Sequence, residues 1–362
     1  MKAKGKNKST IFRIFLVPLI AIMLVQSAIT IGTLVVRRTA STLGEYSSGM
    51  MSRLVENRGV ILQNDMNQRW ASVREQEAVM DQVLEQFLER EGVELAELLR
   101  SDNLKDRLLE LLFPECLEVV QNNSATGVFL VLTGQSPGAA GEFSGFFIRD
   151  SDPDTNPVNG TDLLLERGSK QLSQAWNVPL DAAWTTRFHM DGQGQNRADR
   201  FFYEPWRAGT EHPDADTADL GYWSPPFSLE KEIAGGYRMI TYSIPLRYQG
   251  RVYGVLGVEI STRTMHEHFP VAELNKDQRS GYILAVKRGG GSYLSLVGRG
   301  MLHDMVLSGR DAFVLRETAY EGLSQVEDVR LAGQGVYAVT YPLRLYGNNA
   351  PYEDTEWVLI GL

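Results

Sequence analysis

A carboxylate set inside an apolar strand is the most chemically loaded feature of this sequence. Glu259 stands in Gly257-Val258-Glu259-Ile260, near the end of a run from Val252 to Ile260 that alternates as strands do. Period two places Glu259 on the face opposite Val258 and Ile260. Such a carboxylate can receive an ammonium or a hydroxyl group. Aromatic neighbours would add cation–π attraction of about 0.5–2 kcal/mol. Two dense aromatic stretches could supply them, Phe201-Phe202-Tyr203-Glu204-Pro205-Trp206-Arg207 and Tyr222-Trp223-Ser224-Pro225-Pro226-Phe227. Apolar walls with a few orienting polar groups make a binding site rather than a reaction centre. The competing reading is plainer: the aromatics pin a loop onto its domain, and Glu259 is an exposed strand end.

Other chemistry fails on spacing. Asp150-x-Asp152-x-Asp154 begins like a calcium loop, but Thr155 stands where glycine is required and the closing Glu is missing. His266-x-His268 has no Cys or third His nearby. Gly289-Gly290-Gly291 lacks the Lys-Ser/Thr of a phosphate loop, and no Gly-x-Ser-x-Gly elbow occurs. Cys116 is the single cysteine, so no intrachain disulfide forms, and burial as a small hydrophobe is its expected role. No catalytic residue, metal ligand or cofactor is expected, and a secreted hydrolase would need a nucleophile or metal cluster that is not found.

The charge is unevenly placed. Net charge is -9 from 36 Lys+Arg and 45 Asp+Glu. Residues 1–38 carry Lys2, Lys4, Lys6, Lys8, Arg13, Arg37 and Arg38 and no acidic residue, so the remainder is strongly acidic. An acidic body argues against nucleic acid as a partner, which requires a basic surface. Hydrophobic residues make up 43% of the chain, enough for a sizeable core. From Ile14 to Val36 no charged residue occurs, a stretch long enough to cross a bilayer and too long for a cleaved signal peptide. The lysines before it predict a cytoplasmic N-terminus, with everything after residue 38 outside.

The elements that must position Glu259 follow from periodicity. Ser41 to Leu88 reads as helix, with stripes Met50, Leu54, Ile61, then Met66, Trp70, Val73, then Met80, Val83, Phe87. Gly92 breaks it. Ser101 caps a short helix carrying Leu104, Leu108, Leu111 and Leu112, which Pro114 should end. Strands are expected at 127–132 and 146–148, a polar loop at 150–162 and a helix within 163–189. Tyr237–Leu246 and Val252–Ile260 form a hairpin turning at Gln249-Gly250. Beyond Pro270 a helix at 271–278, strands near 281–287 and 292–297, a helix near 299–308, and strands at 335–345 and 357–362 repeat the theme. Thr241-Tyr242-Ser243-Ile244-Pro245-Leu246-Arg247 is echoed by Thr340-Tyr341-Pro342-Leu343-Arg344, each beginning the next-to-last strand of its unit. The fold class is α+β: a long N-terminal, membrane-exiting helix and two tandem modules with antiparallel sheets.

A long exit helix, a larger and a smaller α+β module, and the hairpin Gly250-x-x-x-Gly254-Val255-x-Gly257-Val258-x-Ile260-Ser261 together resemble the double Cache (PAS-like) sensor domains of bacterial transmembrane receptors. The resemblance spans roughly residues 40–362. It implies a cytoplasmic N-terminus at 1–13, a transmembrane helix at 14–36, a stalk and short helices at 37–112, a membrane-distal module at 113–268 and a membrane-proximal one at 269–362. It also implies a homodimer formed through the stalk, and pocket-covering loops at Asp199–Pro205 and Tyr222–Phe227. Glu259 occupies the place where many amino-acid-binding members have Asp, while Trp184 and Arg187 lie near the family's pocket-helix pair without matching it. The ligand residues expected are therefore Trp184, Arg187, Tyr203, Trp206, Arg207, Tyr222, Trp223, Tyr237, Thr241, Tyr242 and Glu259. The function implied is extracytoplasmic sensing of a small polar molecule, an amine among the candidates, by a chemotaxis, kinase or cyclase receptor of which this chain is the N-terminal part. The alternative is a membrane-anchored binding or adhesion protein without signalling output.

Overall fold

The structure, a computed structural model, describes residues 7–362 except 124, 135, 137, 152–161, 193, 195, 230–236, 276–278 and 348–350. Lys2, Lys4 and Lys6, most of the polar 150–162 stretch and Thr155 lie outside the described residues.

Helix α1 (Asn7–Asn64) leads through a π turn (Asp65–Arg69) and a 3-10 segment (Trp70–Gln76) into α2 (Glu77–Glu91), ended by Gly92 in the left-handed conformation. The continuous helix expected over 41–88 is therefore interrupted. The winding changes where the chain passes between modules. There Gln63 accepts from the Arg344 N–H at 2.8 Å and Asn67 donates to the Arg344 carbonyl at 2.7 Å, while Trp70 wedges edge-on against Trp223 and His268. Tertiary contacts outweigh the local period at this point. The buried face of α1 is also not the stripe that periodicity suggested: Val55, Gly59 and Leu62 pack inward, while Met50 and Ile61 are exposed. Met66, Trp70, Val73, Met80 and Phe87 are buried as expected. Among the described residues, no helix is long and apolar enough to cross a membrane.

After α3 (Leu95–Leu98), Ser101 caps α4 (Asp102–Asn123), its Oγ accepting from Leu104 N at 3.3 Å. Pro114 does not end this helix. Burial of Leu108, Leu109 and Leu112 before it, and of Cys116, Val119 and Val120 after it, holds one face on the core across the missing N–H.

The first sheet has the order β5-β4-β3-β1-β9-β8-β7. Its strands are β1 (Gly127–Leu132), β3 (Gly145–Asp150), β4 (Leu163–Arg167), β5 (Leu180–Thr185), β7 (Tyr222–Trp223), β8 (Met239–Tyr248) and β9 (Arg251–Ser261); β2 (Gly141–Phe143) and β6 (Phe188–Met190) pair separately. Only β4–β5 is parallel. The helix expected within 163–189 is thus a strand, the short helix α5 (Lys170–Trp176), and two further strands. Leu163, Leu165, Leu172 and Trp176 mimic helical spacing, but Ser169 and a left-handed Asn177 bracket only seven residues between them. One face of this sheet packs on α2 and α4; the other is covered by α6 (Arg200–Glu211), next to the short α7 (Thr217–Leu220).

After α8 (Thr262–Glu267) the second module closes β10 (Tyr282–Arg288), β11 (Ser292–Arg299), β12 (Ala312–Glu317), β13 (Ser324–Leu331), β14 (Gln334–Leu343) and β15 (Trp357–Gly361) into a barrel, with α9 (Met301–Val306) between β11 and β12. Of the helix expected at 271–278, Val271–Glu273 form a 3-10 turn, and residues 276–278 lie outside the described residues. Strands β12 and β13 were not read from the sequence. The echoed segments do fall on β8 and β14, each next to last in its unit.

The two modules and α1 are locked together. Trp70, Trp223 and Trp357 form a buried chain with ring centroids 6.3 and 6.5 Å apart. Tyr346 accepts from Trp223 N at 3.1 Å, and Arg58 makes a bidentate pair with Glu273, which also accepts from Tyr282. Gly59 has no Cβ because the Tyr341 ring occupies that space. Gly59→Ala should therefore destabilise the chain by about 1–3 kcal/mol through overpacking. Gly49→Ala, in the same helix with open space around it, should be neutral or slightly stabilising. Urea unfolding of the two variants separates these outcomes.

Candidate ligand-binding site

Strand register builds the site. Thr241, Glu259, Gly127 and Arg149 are successive cross-strand partners on β8, β9, β1 and β3, so their side chains project from one face. The adjacent row on that face is Ser243, Gly257, Phe129 and Phe147. Glycine at 257 leaves room for the Phe129 ring. At Gly127 a Cβ would come within 2.6 Å of Glu259 Oε2, 2.7 Å of the Ile148 carbonyl oxygen and 3.1 Å of the Phe147 ring, so only glycine lets the carboxylate lie against this strand.

Helix α6 covers this face. Phe201 meets Phe129 edge-on at 4.8 Å and stacks on Phe227 at 5.4 Å with the planes 4° apart. Phe202 and Tyr203 pack on Phe143. The expected loop at Asp199–Pro205 is thus the start of a helix, with Pro205 tolerated inside it. The Tyr222–Phe227 stretch is an edge strand followed by a bridge from Phe227 to Met239.

Glu259 is fully buried. Its Oε1 accepts from Thr126 Oγ1 at 2.5 Å and from the Tyr237 hydroxyl. Its Oε2 has no hydrogen-bond partner among the described residues. Burial raises the Glu259 pKa to about 7, opposed by the two hydroxyl donors; Glu166 adds to the rise and Arg149 opposes it. Arg149 lies over the Tyr237 ring at 4.4 Å and pairs with Asp181 at 2.5 Å and Glu166 at 3.5 Å. Burial, aided by Glu259, pushes the Tyr237 hydroxyl upward, so it remains a donor.

The sequence-derived residues separate into groups. Glu259, Tyr237 and Thr241 meet directly on this face, and Thr241 is fixed by Ser224 at 2.9 Å. Tyr203 and Trp206 belong to the aromatic layer over it; Tyr203 donates to the Ala139 carbonyl, and burial pushes its pKa up to about 12. Trp223 and Tyr242 lie in the core on the opposite face, their rings 5.0 Å apart. Burial pushes the Tyr242 pKa up to about 12. Tyr222 tilts against Tyr352 of the second module. Trp184 packs with the opposite-face core and donates to the Gly168 carbonyl, Arg187 bonds Ser144 and pairs with Asp102, and Arg207 pairs with Glu204. These residues are not brought to Glu259. The site also includes residues that spacing did not single out: Thr126, Gly127, Arg149, Glu166 and Asp181. The available signal was charge closing an apolar strand, as in Phe146-Phe147-Ile148-Arg149-Asp150 and Leu163-Leu164-Leu165-Glu166-Arg167.

Among the described residues, no group of three His, Cys, Asp or Glu side chains could hold a metal ion. Residues 184–267, which contain Glu259, Tyr237, Thr241 and α6, match the family model for the first PDC sensor domain of methyl-accepting chemotaxis protein-like receptors. The match makes this segment similar to PDC-type sensor domains. No curated protein matches the chain. Solved structures similar to it include Methyl-accepting Chemotaxis protein X, at 13% identity and TM-score 0.44, covering 89% of this chain and 98% of that one. The periplasmic sensory domain of the Campylobacter jejuni chemoreceptor Tlp1 follows at 11% identity and TM-score 0.39, covering 86% and 93%. The ligand-binding domain of the Pseudomonas aeruginosa PAO1 amino acid chemoreceptor PctC, in complex with GABA, has 14% identity and TM-score 0.34, covering 89% and 98%.

The Glu259 carboxylate makes a pH-dependent contribution. A folded-state pKa raised from 4.5 to about 7 means that the neutral form is favoured by folding. That stability is complete below about pH 4.5 and is lost as pH rises through about 7. Glu259→Gln should remove this slope, so the variant gains on the wild type by on the order of 3 kcal/mol between the two limits. Asp81, raised to about 6 mainly by burial, adds a slope of the same sign, but it is common to both proteins and drops out of the difference. Unfolding free energies measured from about pH 4 to about pH 8 read this out; parallel profiles would contradict it.

Proposed function

We propose that the chain is the extracytoplasmic ligand-sensing region of a transmembrane signalling receptor, and that the first module binds a small polar molecule at Glu259. The observation that carries this reading is a fully buried carboxylate oxygen without a partner, on an aromatic sheet face inside a segment matching a chemotaxis-receptor sensor family. An unpaired buried charge is costly. An ammonium or hydroxyl group of a ligand would supply the missing donor, with Phe147 flanking it.

The other parts of the reading have their own support. Residues 14–36 contain no charge, and α1 exposes Leu19, Ile20, Ile22, Met23, Leu24, Val25, Ile29 and Ile31. An apolar helix surface of that length suits lipid, with the preceding lysines on the cytoplasmic side. Residues 113–268 would then be membrane-distal and 269–362 membrane-proximal. The outward Met50 and Ile61 suit pairing with a second α1. Ligand can act only through its difference in affinity between two arrangements of the modules. The chain α2–Trp70–α1, in contact with both, would transmit that difference.

Thermal unfolding with a panel of amines, amino acids and polyols tests the assignment. A true ligand at about 100 times its Kd should stabilise the chain by about 3 kcal/mol. Glu259→Gln should weaken it about tenfold or more, reflecting loss of a charge-assisted bond. Unchanged affinity in the variant, by calorimetric titration, rejects Glu259 as the ligand residue.

A further inference from the structure

The end of α2 carries acid where helix physics disfavours it. Glu85 and Glu89 stand four residues apart in the last turns of the helix, and Glu94 follows just beyond the Gly92 cap. Like charges at that spacing repel, and the C-terminal turn is the negative end of the helix dipole. None of the three carboxylates is paired among the described residues. The nearby cations are engaged elsewhere: Arg90 and Arg107 both pair with Glu91, at 3.3 and 2.6 Å. The cap itself asks nothing of these acids. Gly92 N–H donates to the Glu89 carbonyl and Val93 N–H to the Leu88 carbonyl, each at 3.2 Å, so the turn is satisfied by its own backbone. A local rule broken without gain to the fold is a mark of a functional site.

The three glutamates rim a groove of about 580 Å³, set between the end of α2, the start of α3 and the turn of the β8–β9 hairpin. Its floor is apolar, with Leu88, Val93, Leu95 and Tyr248 at the margin of the core. Among the described residues lining it, Arg251 alone is basic, which leaves negative charge in excess. Helix α1 packs on β14 and β15, whereas α2 packs on β8. The groove therefore belongs to the first module and lies away from the apolar stretch 14–36.

We propose that this groove is a docking surface for a basic amphipathic segment of a partner protein. An apolar side chain of the segment rests on Leu88, Val93 and Tyr248, and its lysine or arginine residues meet Glu85, Glu89 and Glu94. Charge complementarity selects this occupant. A second copy of this chain would bring another acidic body, since the net charge is -9 with no acid in the first 38 residues. An anionic lipid surface would be repelled in the same way. A small polyamine would satisfy the carboxylates and leave the apolar floor uncovered.

The test is fluorescence anisotropy of a labelled short peptide alternating lysine with leucine, titrated with the full chain in uncharged detergent at low salt. The peptide should bind, and the triple variant Glu85→Gln, Glu89→Gln, Glu94→Gln should weaken it about tenfold or more. A second triple variant, Glu317→Gln, Glu321→Gln, Glu353→Gln, removes the same charge from exposed positions of the second module and should stay within about twofold of the wild type. Oligolysine of equal length and spermidine should both bind more weakly than the mixed peptide. Relief of the like charges should leave the thermal midpoint of the first variant equal or higher. A lower midpoint shows that the acids serve the fold and overturns the proposal. Equal loss in both triple variants overturns it too, by reducing binding to net charge. Oligolysine or spermidine binding as tightly as the mixed peptide overturns the amphipathic partner, and so does no binding at all. Glu259→Gln should bind the peptide as the wild type does, so the fate of this surface and that of the Glu259 site are read separately.

Discussion

The first module is organised around one costly placement, a carboxylate in the middle of a seven-stranded sheet, buried from bulk solvent. The surrounding strands are arranged to make that tolerable. Thr126 and Tyr237 direct hydroxyl groups at one oxygen, Gly127 on the neighbouring strand lacks the Cβ that would collide with the other, and Arg149 lies one strand further on. The compensation is incomplete: one oxygen is left without a donor, and burial keeps the pKa raised. An apolar residue would pack there at less cost. The placement is intelligible as preparation for something that arrives from outside the protein.

Position on the sheet explains why the rest of the molecule is built around this row. Beside Glu259, Thr241 is fixed by Ser224; Ser224 follows Trp223, and Trp223 contacts Trp70, Trp357 and Tyr346. The carboxylate row and the joint between modules therefore share strand β8 and its edge partner β7. The joint is unusual in its own right. Trp70, Trp223 and Trp357 are buried indoles whose N–H groups have no acceptor among the described residues. A joint held by ring packing, with its donors unsatisfied, is stabilised by shape more than by directional bonds.

How much of this could be read from residues alone depended on how local the cause was. The hairpin of β8 and β9 alternates cleanly and turns at Gln249-Gly250, both with positive φ, so its existence and face assignment followed from period two. Glu259 stood out because a carboxylate interrupts that alternation. Thr126, Arg149, Glu166 and Asp181 join it only through strand order, which no local pattern encodes. The aromatic clusters were conspicuous, but their abundance concealed a division: Tyr203 and Trp206 cover the carboxylate face, whereas Trp223 and Tyr242 build the opposite one. Errors in the elements have similar origins. Four leucines and a tryptophan between 163 and 176 imitate a helix, and Pro114 signals an end that burial on both sides of it overrides. The outward and inward stripes of α1 are both apolar, so only contact with β14 and β15 decides which is core.

Gly127 and Glu259 are complementary in volume across one strand pair: what the first lacks, the second occupies. Shortening the acid by a methylene, to aspartate, would relieve that contact, but the Ile148 carbonyl oxygen, 2.7 Å from where a Cβ at 127 would stand, belongs to the backbone and does not retract with it. Divergent descendants of this module should therefore be freer to change the acid than the glycine, which the sheet itself holds in place.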